Sequence, residues 1–118
     1  MPEYDLSENG TTWELNVLSL IRYYEARHAR YFLGIEPVAS GDFEPDLDGP
    51  SRFLPQLNRI ELHKSFARFE KLCRILVLHE LIHSKLCKIG ECEKDSTTIR
   101  FRKEVEELWD QGAYAKLL

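Results

Sequence analysis

The 118-residue sequence lacks several features that mark proteins of specialised environments. No apolar run is as long as a membrane-spanning helix, and Met1–Asp5 lacks the basic and apolar regions of a signal peptide. Cysteine is scarce, and three residues are too few, and odd in number, for a disulfide framework. The sequence therefore predicts a cytoplasmic protein that does not associate with membranes.

Clustered basic charge is also missing. Lys and Arg number 16 against 20 Asp and Glu, and no block of them forms a stripe that would bind phosphates. The composition gives no indication of nucleic-acid binding. Repeats and low-complexity segments are absent as well. A chain of this length with 43% hydrophobic residues predicts one globular domain over residues 1–118.

Apolar spacing predicts an α+β fold with three helices. Stripes at intervals of three and four residues favour helices at about Trp13–Gly34, Ala67–Cys87 and Thr97–Gly112. Four prolines between Ile35 and Leu57 exclude a long helix there and indicate turns between short extended pieces. The alternation of apolar and polar side chains in Arg59–Lys64 predicts a strand of a small antiparallel or mixed sheet. Its buried face would carry Ile60 and Leu62, and its wetter face Glu61 and His63.

The most informative stretch lies in the second helix and reads H-E-x-x-H, from His79 to His83. Residues four apart lie on one helix face, so His79 and His83 can direct two imidazole nitrogens at one point. That arrangement suits Zn²⁺, which favours tetrahedral nitrogen ligands. Glu80 is close enough to hold a water on the metal, and the motif makes it the general base.

An apolar helix that happens to carry these three residues is the alternative. A lone histidine on such a face is usually a satisfied core residue. His28, on the first helix, could approach the metal centre, but we interpret it as a core or boundary residue. Three polar groups within one helical turn are a different case from a lone histidine, because burying each of them without a partner costs about 1–3 kcal/mol. A metal ion removes that cost for all three, so the metal site is favoured.

A third ligand is less evident because no histidine follows His83. The last helix carries an apolar stripe, and Glu104 falls on its buried side, where a carboxylate needs a partner. We therefore predict Glu104 as the third metal ligand. Asp95 and Glu107 are alternatives, and an ion pair between Glu104 and Arg22 or Arg100 would replace the ligand role.

The three cysteines are expected to be reduced thiols. Cys73 lies in an apolar helix and is expected to be a core residue. Cys87 and Cys92 flank a turn, where pairing under oxidation and thiolate ligation to a metal are alternatives to reduced thiols. A closed zinc site that uses one of these cysteines would be structural rather than catalytic.

The order of these elements resembles the zincin metallopeptidases, and more narrowly the SprT-like family. Three pieces carry the resemblance: Tyr31–Gly34 closing the first helix, Arg59–Leu62 before the active helix, and Ile75–His83. The resemblance implies a zinc peptidase with His79 and His83 as ligands and Glu80 as base. It also implies a substrate strand beside an edge strand, here near Ile60–His63.

One position departs from the family pattern. SprT-like proteins usually take a third histidine from the start of the last helix, where this chain has Thr97 or Thr98. The expected function is a zinc-dependent metallopeptidase acting on a peptide or protein. A catalytically silent zincin-like domain that binds a peptide or partner protein is the alternative. The sequence does not indicate an oligomeric state.

Overall fold

Three helices and a three-stranded sheet form the structure, a computed structural model that describes residues 16–92 and 95–117. The helices are α1 (Val17–Arg27), α2 (Glu70–Lys88) and α3 (Ile99–Asp110), and the strands are β1 (Ser40–Glu44), β2 (Ser51–Leu54) and β3 (Arg59–His63). A single 3₁₀ turn, Lys64–Phe66, joins β3 to α2. The predicted α+β class and element order are confirmed. The predicted helix start near Trp13 lies outside the described residues.

The sheet is mixed, and β3 is its central strand. The strand order is β1-β3-β2, with β1 parallel and β2 antiparallel to β3. The expectation that Ile60–His63 forms the sheet edge is therefore wrong. The sequence did not reveal that Ser40–Glu44 would pair with β3, since that segment contains only one large apolar residue, Phe43. The strand at the edge beside α2 is β2.

The core lies between α1, α2 and the inner face of the sheet. Its fully buried side chains include Leu20 and Ile21 of α1, Ile60 and Leu62 of β3, and Leu78, Ile82 and Leu86 of α2. The predicted buried face of β3 is thereby confirmed, and α2 is the central helix. No helix in the described part of the chain is long and apolar enough to span a lipid bilayer.

Glu61, expected on a wetter face of β3, is only 6% exposed. Its two carboxylate oxygens accept hydrogen bonds from Arg52 Nε at 2.7 Å and Arg59 Nε at 2.8 Å. Burial alone would raise the pKa of Glu61, but the hydrogen bonds from Arg59 and Arg52 outweigh it and lower the pKa. The paired guanidinium groups allow a carboxylate to be buried on this face.

The end of α2 turns the chain back towards the helix. Gly90 adopts a φ of +87°, which favours glycine, and the amide of Glu91 donates to the carbonyl of Leu86 at 2.8 Å. This C-terminal motif ends the helix where the sequence predicted. It also brings Cys92 back beside Cys87, the last cysteine of α2.

We predict that Gly41→Ala destabilises the fold by about 1–3 kcal/mol, because it overpacks the contact between α1 and the sheet. A Cβ atom at Gly41 would lie 2.6 Å from Ile21 Cδ1 and 3.0 Å from Val17 Cγ1, and both side chains are buried. Urea unfolding measures the effect. Asp42→Ala, at the exposed neighbouring position, is the control. Equal stability of the two variants would contradict the packing described here.

Candidate metal centre

His79 and His83 lie on successive turns of α2, and their Nε2 atoms are 3.2 Å apart. Zinc–nitrogen bonds of about 2.0–2.1 Å at a tetrahedral angle hold two nitrogens roughly 3.3–3.4 Å apart. The observed separation therefore fits two imidazoles that share one ion. It also fits a hydrogen bond between two neutral rings, with one Nε2 protonated.

Phe101 of α3 packs against both imidazoles. Its ring centroid lies 5.0 Å from that of His79 and 4.6 Å from that of His83, and its side chain is buried. An apolar ring in this position restricts how the two imidazoles rotate. Phe101 was expected only as a core residue of the last helix. The sequence carried no signal that it would lie over the histidine pair.

The environment keeps His79 neutral. Burial lowers the pKa of His79 to about 4, and the neighbouring His83 lowers it further in the same direction. The ring is therefore uncharged at neutral pH, and the neutral imidazole is the form that binds metals.

Glu80 is 4% exposed and lies beside the histidines. Burial raises the pKa of Glu80 to about 7, although the hydrogen bond from Ser51 acts in the opposite direction. Ser51 Oγ donates to Glu80 Oε2 at 2.6 Å, which fixes the orientation of the carboxylate. A carboxylate with a pKa near neutrality can accept and release a proton at physiological pH. Ser51 had no motif to identify it in the sequence.

One cavity of about 480 Å³ joins these residues to the sheet edge. The segment Pro50–Phe53, which contains most of β2, forms one wall, and α2 forms another. The residues of α2 and the following loop that line it are Leu76, His79, Glu80, His83, Cys87, Cys92 and Ser96. The three residues of the H-E-x-x-H motif therefore face a space that a ligand can enter.

Glu104, predicted as the third ligand, makes other contacts. Its carboxylate accepts hydrogen bonds from Tyr31 OH at 2.6 Å and from Arg100 at 2.8 Å, and Lys85 Nζ lies 3.4 Å away. The predicted burial of Glu104 is observed, and so is the ion pair with Arg100 that would replace the ligand role. The structure does not bring Glu104 to the histidine pair.

The alternative ligands are also placed elsewhere. Asp95 is exposed and accepts hydrogen bonds from the backbone and hydroxyl of Thr97 at 2.8 and 2.6 Å. Glu107 is exposed as well. Among residues 16–92 and 95–117, no group of three or more His, Cys, Asp or Glu side chains is positioned to hold a metal. A third ligand at any of these positions stays a prediction.

The remaining histidine and cysteines complete the set of candidate residues. His28, buried at the end of α1, stacks on Tyr24 and contacts Gln111, in agreement with its interpretation as a core residue. Cys73 is a buried free thiol, as expected. Cys87 and Cys92, for which reduced thiols were favoured, are joined by a disulfide in the wall of the cavity.

Comparison of the chain with protein-family models, curated proteins and solved structures finds no match.

We predict that Glu104→Gln lowers the stability of metal-free protein by about 1–3 kcal/mol, because it removes a buried anion from Lys85 and Arg100. Thermal or urea unfolding in the presence of a chelator measures this. Glu107→Gln, at an exposed position of the same helix, should have little effect. If Glu104→Gln instead leaves metal-free protein unchanged and weakens zinc binding, Glu104 is a ligand after all.

We predict that Glu80→Gln stabilises metal-free protein above pH 7. The pKa of Glu80 is about 7 in the folded protein against an ordinary value of 4.5, so ionisation opposes folding as the pH rises between these values. The neutral amide avoids that cost. The stability difference should shrink as the pH falls and vanish below about pH 4.5.

Unfolding curves of both proteins across this pH range test the linkage, with Glu106→Gln as an exposed control. A stability difference that does not depend on pH would show that Glu80 ionises in the folded protein as it does in water.

Proposed function

We propose that this chain is a zinc-dependent peptidase of the zincin type, resembling the SprT-like family. The observation that carries the proposal is the convergence of His79 and His83, with Nε2 atoms 3.2 Å apart, beside Glu80 in one open cavity. The order of helix, small sheet, motif helix and final helix agrees with the resemblance.

His79 and His83 would hold the ion. A zinc ion bound there would supply Lewis-acid chemistry, acidifying a water molecule and polarising a substrate carbonyl. Glu80, oriented by Ser51, accepts the proton of the attacking water and passes it to the leaving amine.

The substrate would bind as an extended strand along β2. Among the described strands, β2 pairs with β3 on one side only, and the segment that contains it also lines the cavity beside Glu80. An extended peptide can add to such an edge through backbone hydrogen bonds. This places the substrate at β2 rather than at Ile60–His63, since β3 is paired on both sides.

A catalytically silent domain that binds a peptide or partner protein is the second candidate. It is favoured by the contacts of Glu104, which leave the histidine pair without that ligand. In such a domain the histidines would hydrogen-bond to each other, and the cavity would hold a peptide without cleaving it.

We expect protein purified without exposure to a chelator or a nickel resin to contain about one zinc ion per chain. Glu80→Gln should retain that zinc and lose all cleavage of a peptide library, because the amide cannot accept a proton. Elemental analysis and mass spectrometry of the digested library provide the two readouts, and Glu106→Gln is the matched control.

Zinc content near zero that added zinc does not restore would remove the metal site. Zinc binding without cleavage by either protein would favour the silent domain. Equal cleavage by wild type and Glu80→Gln would assign the activity to another site or a contaminant.

A further inference from the structure

A second cavity, of about 440 Å³, lies between α1, the start of α2 and the chain that follows α3. It shares no described lining residue with the cavity of the histidine pair, so it is a separate site. Its described lining residues include four cations, Arg27, Lys71, Arg74 and Lys116, and one carboxylate, Glu70. These cations come from three different parts of the fold, so no block of basic residues marks them in the sequence.

The charges of this cavity are not balanced. Arg74 Nε donates to Glu70 Oε2 at 2.9 Å, so the carboxylate is already paired. Within residues 16–92 and 95–117, Arg27, Lys71 and Lys116 form no ion pair. The whole chain, in contrast, carries a net charge of −4. A concave surface with excess positive charge focuses the electrostatic field and attracts anions, and a bound anion would relieve the repulsion among the cations.

Arg74 is the fixed cation of the cluster, because its side chain is only 12% exposed. Its Nη1 donates to the hydroxyl of Tyr24 at 3.2 Å, and its guanidinium carbon lies 5.3 Å from the centroid of the Tyr23 ring. These contacts, together with the ion pair to Glu70, hold the guanidinium plane in one orientation in the cavity wall. A guanidinium held in this way loses little conformational entropy when it binds an oxyanion.

Lys116 has a backbone conformation that lysine rarely adopts, with a φ of +68°. Among the residues that the structure describes, Asn58 is the one other non-glycine residue with a positive φ. This conformation is disfavoured for any residue with a side chain, and glycine adopts it freely. Lysine is therefore a poorer choice than glycine for the fold at this position, yet it contributes a charge to the cavity. Local strain of this kind beside a cavity indicates a binding role.

We propose that this cavity binds a phosphate dianion, the prevailing form of a phosphate monoester at neutral pH. Guanidinium and ammonium groups are the cations by which proteins bind phosphates. The three exposed cations, Arg27, Lys71 and Lys116, beside the fixed guanidinium of Arg74 match two negative charges better than the single charge of a carboxylate. The site does not depend on the proposed peptidase function, since it uses none of the residues around the histidine pair.

NMR titration of the isotopically labelled full chain at low ionic strength tests the proposal with two probes, inorganic phosphate and a capped Gly-phosphoserine-Gly tripeptide. Capped Gly-Glu-Gly and Gly-Ser-Gly are the reference ligands. Both phosphate probes should bind, Gly-Glu-Gly at least about tenfold more weakly, and Gly-Ser-Gly not at all. Tighter binding of the phosphopeptide supports an ester as the ligand, and tighter binding of inorganic phosphate supports the free ion. Equal affinity for Gly-Glu-Gly and the phosphopeptide, or no binding of either phosphate probe, overturns the proposal.

Variants assign the binding to this cavity. Lys71→Gln and Lys116→Gly should each weaken phosphate binding about tenfold. Lys103→Gln, at an exposed position of α3 outside the cavity, should leave it unchanged. Lys116→Gly should also resist urea at least as well as wild type, because glycine adopts a positive φ without strain. Wild-type affinity in both cavity variants, or an equal loss in Lys103→Gln, overturns the proposal.

A single-stranded thymidine oligonucleotide separates this site from a general attraction for polyanions. At equal phosphate concentration it should compete for the cavity no better than the phosphopeptide. Tighter binding of the oligonucleotide that Lys103→Gln also weakens overturns the proposal, in favour of a non-specific nucleic-acid surface.

Discussion

The position of His79, Glu80 and His83 on the central apolar helix, with Glu80 buried and both histidines partly buried, is the constraint on which the rest of the structure depends. α2 is covered by α1 and the sheet, while Phe101 of α3 lies against both imidazoles. Removing three polar side chains from water is unfavourable unless each has a partner. The fold reduces that cost by leaving an open cavity at one end of the sheet and by keeping His79 neutral.

The buried carboxylates of this protein show how partners decide chemistry. Glu61 and Glu104 are each bound by two cations, from Arg52 and Arg59 in one case and from Lys85 and Arg100 in the other. Such ion pairs hold a charge in place and serve the fold. Glu80 is as buried as Glu104, but its carboxylate accepts a hydrogen bond from the neutral hydroxyl of Ser51. Burial raises the pKa of Glu80 to about 7, and the hydrogen bond from Ser51 offsets this only in part. That difference makes Glu80 the carboxylate suited to proton transfer.

Periodicity and motif spacing predicted three helices and the shared face of the two histidines, but α1 ends at Arg27 rather than at Gly34. The i, i+4 relation lies within one helix, so local geometry determines that His79 and His83 face the same side. The central position of β3 could not be predicted, because it depends on pairing with Ser40–Glu44, a segment with little strand character.

The partners of Glu104 illustrate the same limit at the level of the site. The face of the helix on which Glu104 lies predicted its burial, and the prediction that the buried carboxylate needs a partner is confirmed. Which partner it met depended on how α3 packs, since Lys85 comes from α2 and Tyr31 from the turn after α1. Ser51 likewise reaches Glu80 and the cavity through a tertiary contact that carries no local signal.

An anomalous difference map recorded at the zinc absorption edge, from crystals grown with zinc, tests the central claim most directly. The account predicts one strong peak between the imidazoles, about 2.0–2.1 Å from the Nε2 atoms of both His79 and His83. No peak there, with the two rings still hydrogen-bonded to each other, would contradict it.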